Sequence, residues 1–349
     1  MNFLPSGPEL KGVTIMTYPF RTIIGILAGV LLLASATALA QSADKSPLQL
    51  EAKIPLGNVG GRIDHMAIDL KPQRLFVAEL GNVTVGVVSL ANRSVIRTIP
   101  GLSEPQGIGY EPSTDTLYVA NARDGSVQLF DGTDYKATGR IELGSDADNI
   151  RIDTAAKRVV IGHGGGALAI IDPATRAKLS DIPLKAHPEG FQIDPDSALA
   201  FVNVPGVRAV VVVDRTTGKQ AAVWPMDRGG NFPMIMDRAR GQILLVFRSP
   251  PMLAAFSMAD GKPVASAETC GDSDDVFVDA KRGRVYVSCG AGYVDVFEAN
   301  GSAYRKMARV PTAPGARTSY FVPELDRLFV AVRASTAVPA AIWVLQPMP

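Results

Sequence analysis

A repeat with a period near 42 residues constrains this chain more than any other feature of its sequence. Short β-rich runs recur seven times, and their first residues are separated by 42, 42, 40, 44, 42 and 43 positions. The runs are LFVAE from Leu75, LYVAN from Leu117, VVIGH from Val159, LAFVN from Leu199, ILLVF from Ile243, VYVSC from Val285 and LFVAV from Leu328. Self-similarity at a fixed period is typical of repeat architectures, so the 349 residues are better treated as one array than as two ordinary domains.

Each repeat contains the same order of parts. An apolar run that ends in an acidic residue (MAID, residues 66–69) comes first, and a polar turn leads to the aligned run above. A third apolar run (VQLFD, 127–131) and a second turn (RTTGK, 215–219) precede a weaker fourth run. Four β-rich runs joined by hairpin turns predict four antiparallel strands. Seven such units predict an all-β, seven-bladed β-propeller, because sustained helical periodicity is missing after residue 41 and a sandwich would not give seven equal periods.

The ends of the chain predict how the ring closes. The seventh repeat ends at IWVLQ (342–346) without a fourth run, and LEAKIPL (50–56) precedes the first repeat. Pairing residues 50–56 into the last blade would remove the open sheet edge.

The run LYVAN (117–121), repeated with variants in every blade, resembles the YVTN or YncE-like bacterial β-propellers. The resemblance covers about residues 48–346. It implies the propeller fold and does not specify an activity, because this broad group includes ligand-binding proteins.

The first 40 residues predict an N-terminal extension with a cleavable signal peptide. Arg21 precedes an apolar stretch (23–40) that ends in Ala-Leu-Ala, which is an A-x-A cleavage site before Gln41. The stretch is near the lower limit for a membrane anchor, which is the alternative, and Met16 is an alternative start. We therefore expect a periplasmic protein whose mature part, 41–349, is one domain without a membrane span.

Charge excludes one class of partner. The formal net charge is +1, and basic and acidic residues alternate along the chain. This pattern lacks the basic surface that nucleic-acid binding requires. We expect a monomer whose partner is a small molecule or another protein.

Polar residues are concentrated in the segments that lead into the first strand of each blade. Such segments converge around the central channel of a propeller, where loops carry function. They are RIDH (62–65), EPQG (104–107), DADN (146–149), AHPEG (186–190), GGNFP (229–233), CGDSDD (270–275) and GART (315–318). From them we predict a polar ligand site at the channel mouth formed by Arg62, Asp64, His65, Gln106, Asp148, Asn149, His187, Glu189, Asn231, Asp274, Asp275 and Arg317.

All three histidines map to the same face, which raises the question of a metal. His65, His163 and His187, with Asp148, Glu189 and Asp274, could hold one divalent cation. The alternative is that these side chains cap strand ends and bond loop amides. Cys270 and Cys289 belong to one blade, and a disulfide is the first expectation in an oxidising compartment, with a copper-binding thiolate pair as the alternative.

Two functions remain open. The first is a periplasmic binding or interaction protein whose channel mouth holds a small ligand, a cation or a partner loop. The second is a metal-dependent lactonase or related hydrolase, by analogy with gluconolactonase-like propellers. That analogy would assign a cation site to Glu189, Asn149, Asn231 and Asp274, although the chain has seven blades and lacks that family's characteristic strings.

Overall fold

The computed structural model describes residues 46–349, which form seven four-stranded antiparallel sheets arranged as the blades of a propeller. The predicted fold is therefore confirmed. The signal-peptide prediction concerns residues that lie outside the described part of the chain.

The first described strand, β1 (Leu48–Pro55), belongs to the last blade. The other blades each follow in chain order, from the innermost to the outermost strand. Blade one contains β2 (Met66–Asp69), β3 (Arg74–Glu79), β4 (Thr84–Ser89) and β5 (Ser94–Ile99). Blade two contains β6 (Pro105–Glu111), β7 (Thr116–Asn121), β8 (Ser126–Asp131) and β9 (Ala137–Glu142). Blade three contains β10 (Ala147–Asp153), β11 (Arg158–His163), β12 (Ala167–Ile171) and β13 (Lys178–Pro183).

The remaining four blades repeat this arrangement. Blades four to seven contain β14 (Phe191–Ile193), β15 (Leu199–Val204), β16 (Ala209–Asp214) and β17 (Lys219–Pro225); β18 (Asn231–Asp237), β19 (Gln242–Arg248), β20 (Pro251–Ser257) and β21 (Pro263–Glu268); β22 (Ser273–Asp279), β23 (Arg284–Cys289), β24 (Tyr293–Asn300) and β25 (Ala303–Pro311); and β26 (Ser319–Val322), β27 (Arg327–Val332) and β28 (Ala341–Pro347), completed by β1.

Strand β1 closes the ring as predicted. It pairs antiparallel with β28, in a register that joins Leu48 to Pro347 and Ile54 to Ile342. The side chains of Leu48 and Ile54 are buried against the last blade. The first and last described strands therefore share one sheet, and the ring has no open edge at this point.

Acidic residues at the ends of the inner strands shape the first hairpin of each blade. The carboxylate of Asp153 accepts a hydrogen bond from the backbone N–H of Ala156 at 3.0 Å, and that of Glu111 accepts one from Thr114 at 2.8 Å. Asp279 does the same for Arg282 at 3.2 Å. Asp and Glu at this position satisfy turn amides, which explains why the repeat ends its first strand with an acid.

The hydrophobic core lies between neighbouring blades. Phe76 of blade one packs in the same cluster as Leu117 of blade two, and Tyr286 of blade six packs with Phe321 of blade seven. All four are at most 6% exposed. Since burial of one such side chain is worth about 1.5–3 kcal/mol, each blade depends on its neighbours for stability.

Helical structure in residues 46–349 is limited to three short 3₁₀ turns, at Leu80–Asn82, Pro205–Val207 and Arg238–Arg240. No helix of this part of the chain is long and apolar enough to cross a membrane.

Candidate functional site

The inner strands of all seven blades surround a cavity of about 870 Å³ along the central channel. Every predicted ligand residue except Asn231 lines this cavity. The segments that lead into the inner strands therefore converge at one mouth of the channel, as the sequence predicts for a propeller.

One side of the mouth is built around Asp148 and two histidines, and we call it the histidine side (His65, Asp148, Asn149, His187 and Glu189). Asp148 is buried, and its Oδ1 and Oδ2 lie 3.8 Å from Nε2 of His65 and Nε2 of His187, respectively. Nδ1 of His187 lies 2.8 Å from the carbonyl oxygen of Gly164, to which it donates. Gly107 permits this packing, since a Cβ there would collide with the backbone carbonyl of Asp148.

The electrostatics of the histidine side favour charged imidazoles. Burial opposes protonation of His187, but the nearby carboxylate of Asp148 and the hydrogen bond to the Gly164 carbonyl raise its pKa to about 9. Burial likewise opposes protonation of His65, yet the carboxylates of Asp64 and Asp148 raise its pKa above the usual value. Burial alone would raise the pKa of Asp148, but the two imidazoles lower it. Around neutral pH the Asp148 carboxylate thus faces a positive ring on His187, and it also favours the charged form of His65.

Several hydrogen-bond acceptors on the histidine side have no donor. Oδ1 of Asp148 and Oδ1 of Asn149 are buried without a hydrogen-bond partner among residues 46–349. Burial and the negative charge of Asp148 raise the pKa of Glu189 to about 7. Buried polar atoms are nearly always hydrogen-bonded, so a donor in the cavity, from a ligand or from water, could satisfy these two acceptors.

The other side of the mouth is ion-paired, and we call it the arginine side (Arg248, Asp272, Asp274 and Arg317). Asp274 forms ion pairs with Arg248 and with Nε of Arg317, the latter at 3.0 Å. Nη1 of Arg317 also donates to Asp272 at 2.8 Å. The guanidinium of Arg248 lies 3.8 Å from the ring centroid of Phe232. These mutual contacts support a structural role for the arginine side.

Four further predicted residues complete the mouth. Arg62 is paired with Asp64 at 2.5 Å, and burial raises the pKa of Asp64. Gln106 lines the cavity. Asp275 accepts the backbone N–H of Ser319 at 2.7 Å, and burial raises its pKa to about 7. Burial thus favours the neutral form of two carboxyls of the mouth, Asp64 and Asp275.

The structure places two predicted residues away from the rest of the mouth. Asn231 lies outside the cavity, because its buried amide donates to Oδ1 of Asn203 at 2.9 Å and to the carbonyl of Ala209 at 3.2 Å. His163 does not join the other histidines, because its Nε2 lies 3.0 Å from Oδ1 of Asp181 on the outer strand β13. Both side chains belong to blade interiors, a distinction that position within the repeat did not reveal.

The metal hypotheses lose support as a result. The three-histidine set is not assembled, and the lactonase-like set lacks Asn231 while its Asp274 is paired with two arginines. Within residues 46–349, no group of three or more His, Cys, Asp or Glu side chains is arranged to hold a metal ion.

Cys270 and Cys289 form a disulfide bond in the structure, with their Cα atoms 5.8 Å apart. The bond joins the segment that leads into β22 to the end of β23. It therefore anchors the chain immediately before Asp272 and Asp274, on the arginine side.

A ring of channel-facing residues lies deeper than the mouth, and we call it the waist ring. It was not predicted from the sequence. These residues occupy the same register in the inner strands of the seven blades, and all line the cavity. In blade order they are Ala67, Gly109, Arg151, Gln192, Ile235, Phe277 and Tyr320. The missed signal was a charged residue inside the run IRID (150–153), where the other blades have uncharged residues.

Comparison with known proteins gives the fold alone. No protein-family model and no curated protein sequence matches the chain. Solved structures do match it, including the WD40 repeats of RRP9 (TM-score 0.74, 9% identity, 86% of this chain and 100% of that chain), a chain of the mitotic checkpoint complex (0.72, 11%, 86% and 96%) and hydrazine synthase of Kuenenia stuttgartiensis (0.66, 16%, 80% and 99%). These structural similarities support a propeller fold, and at such low identities they support nothing narrower. The YVTN or YncE-like resemblance remains a prediction.

Proposed function

We propose that this protein is a periplasmic binding propeller that takes a small, hydrogen-bond-donating molecule into the mouth of its channel. A propeller is a scaffold for binding and interaction, and its ligands are selected by residues grafted onto the ring. The ligand of this protein would carry hydroxyl or ammonium groups.

The observation that carries the proposal is the set of free acceptors beside the cavity. Asp148 and Asn149 are 5% and 3% exposed, yet each has an oxygen without a donor in residues 46–349. A ligand hydroxyl or ammonium could satisfy these atoms and Glu189 together. An unpaired buried acceptor costs about 1–3 kcal/mol, so satisfying it would contribute to affinity.

The charge of the histidines favours an organic ligand over a metal ion. Metal binding requires neutral imidazole, whereas the pKa of His187 is about 9. A cation would have to displace that proton first.

The location is part of the proposal. It is supported by the signal-like sequence of residues 23–40 and by the Cys270–Cys289 disulfide, since disulfides persist in oxidising compartments.

The test is a thermal-shift titration of the chelator-treated protein with glucose, sorbitol, putrescine, Ca²⁺ and Zn²⁺. We expect saturable stabilisation by at least one sugar, polyol or amine, because a ligand that binds only the folded state raises the melting temperature. Asp148→Asn should abolish the shift. Asp134→Asn, which alters an exposed residue in the turn after β8, should keep it.

Stabilisation by a metal ion alone would assign a cation site instead. Equal shifts in Asp148→Asn and wild type, or no shift with any probe at about 10 mM, would contradict the proposal.

A further inference from the structure

The waist ring contains one charged residue among seven equivalent positions. Arg151 extends into the channel between Gly109 of blade two and Gln192 of blade four. It lies two residues beyond Asn149 on the same strand, which places it about 7 Å deeper in the channel.

Arg151 has no acidic partner. Its Nε donates to the carbonyl of Phe191 at 3.0 Å, and its Nη1 donates to the carbonyl of Ile150 at 2.9 Å. No carboxylate of residues 46–349 lies within ion-pair distance of it. Three of the five N–H donors of a guanidinium therefore remain free.

Arg151 differs from the arginines that hold aspartates in this protein. Arginines 248, 282, 309 and 317 all form ion pairs with aspartates. Burial in the channel lowers the pKa of Arg151 from its usual value, and the charge of Asp275 opposes this effect only in part. A desolvated guanidinium of this kind is an anion-binding group.

Aromatic side chains face Arg151 from the other side of the ring. In a ring of seven blades, blades six and seven lie opposite blade three, and their waist-ring residues are Phe277 and Tyr320. These two rings contact each other edge to face, with centroids 6.1 Å apart. The channel therefore presents a guanidinium on one wall and an apolar aromatic surface on the other.

We propose that the waist of the channel binds a small aromatic carboxylate, with Arg151 pairing the carboxylate while Phe277 and Tyr320 contact the ring. A guanidinium binds a carboxylate through two parallel N–H···O bonds, and aromatic pairs add attraction beyond the area that they bury. This inference rests on the proposed function, because it requires that the channel admit a small molecule.

The carboxyl that acts on Arg151 is compatible with such a ligand. Asp275 is the carboxyl that acts most strongly on Arg151, and burial raises its pKa to about 7. Because Asp275 is partly neutral around pH 7, it repels a bound carboxylate less than an ordinary aspartate would.

The test is isothermal titration calorimetry of the folded protein with benzoate, and with benzamide as a neutral ligand of the same shape. We expect wild type to bind benzoate and to bind benzamide at least tenfold more weakly. Arg151→Gln should weaken benzoate binding at least tenfold. The affinity of Arg151→Lys for benzoate should lie between those of wild type and Arg151→Gln, because lysine keeps the positive charge and loses the two parallel N–H donors of the guanidinium. Arg97→Gln changes an exposed arginine on the outer strand β5 and should match wild type.

Benzoate binding to Arg151→Gln within twofold of wild type would overturn the inference, as would no binding to wild type up to about 10 mM. Arg151→Lys keeps the test valid if Arg151→Gln fails to fold. The two proposals fail separately: the sugar, polyol and amine probes report on Asp148, whereas benzoate reports on Arg151.

Discussion

Asp148 and Asp274 occupy equivalent positions on opposite sides of the channel mouth, and their surroundings differ. Each follows the first residue of its inner strand, since Ala147 pairs with His163 and Ser273 pairs with Cys289. Asp274 is held between Arg248 and Arg317. Asp148 lies between two histidines at 3.8 Å and keeps an oxygen without a donor in the described residues.

The difference suggests separate roles for the two sides of the mouth, with the arginine side stabilising the fold and the histidine side forming the binding site that we propose. The arginine side is closed by ion pairs and anchored by the Cys270–Cys289 disulfide. The histidine side has Glu189, whose pKa is about 7, and His187, whose pKa is about 9, together with two acceptors that no group of residues 46–349 uses. The same residue type at the same repeat position therefore forms ion pairs in blade six, whereas in blade three it belongs to the ligand site that we propose.

The largest effect should come from the same substitution made at both positions. Asp274→Asn removes the charge that holds two arginines together, which we expect to lower the free energy of unfolding by about 2–3 kcal/mol. Asp148→Asn should cost about half as much, because the two histidines can lose their protons when the carboxylate is gone. Urea unfolding at pH 7 measures both values. An equal loss of stability in the two variants would remove the distinction between the sides.

A smaller effect should appear in the pH dependence of stability. The pKa of Glu189 is about 7 in the folded protein, above its ordinary value of 4.5, so folding favours the protonated form. The stability of the wild type should therefore fall as the pH rises from about 4.5 through 7. Glu189→Gln removes this penalty. We therefore expect the free energy of unfolding of the variant, relative to that of wild type, to rise by about 2 kcal/mol between pH 5 and pH 8.

Urea unfolding of both proteins at the two pH values measures this gain. The control Glu268→Gln changes an exposed carboxyl on the outer strand β21 and should follow wild type. If the stability of Glu189→Gln changes with pH as that of the control does, burial does not raise the pKa of Glu189, which would contradict our description of the histidine side.

The repeat predicted the fold, down to the pairing of β1 with β28, because period and turn chemistry are local properties of the sequence. It also predicted which segments reach the mouth. It could not show that Asn231 bonds Asn203 or that His163 turns to Asp181, because these contacts depend on side-chain direction at strand ends. Arg151 was missed because the interior of an inner strand was treated as uniformly apolar.

The central claim, that the histidine side is charged and available, is tested most directly by NMR titration of His187 and His65. We expect a pKa of about 9 for His187 and a raised pKa for His65. Asp148→Asn should lower the pKa of His187 by at least about one unit. Asp134→Asn, which changes an exposed residue in the turn after β8, should leave the pKa of His187 unchanged. A pKa near 6.5 for His187, or an equal response to the two substitutions, would contradict this claim.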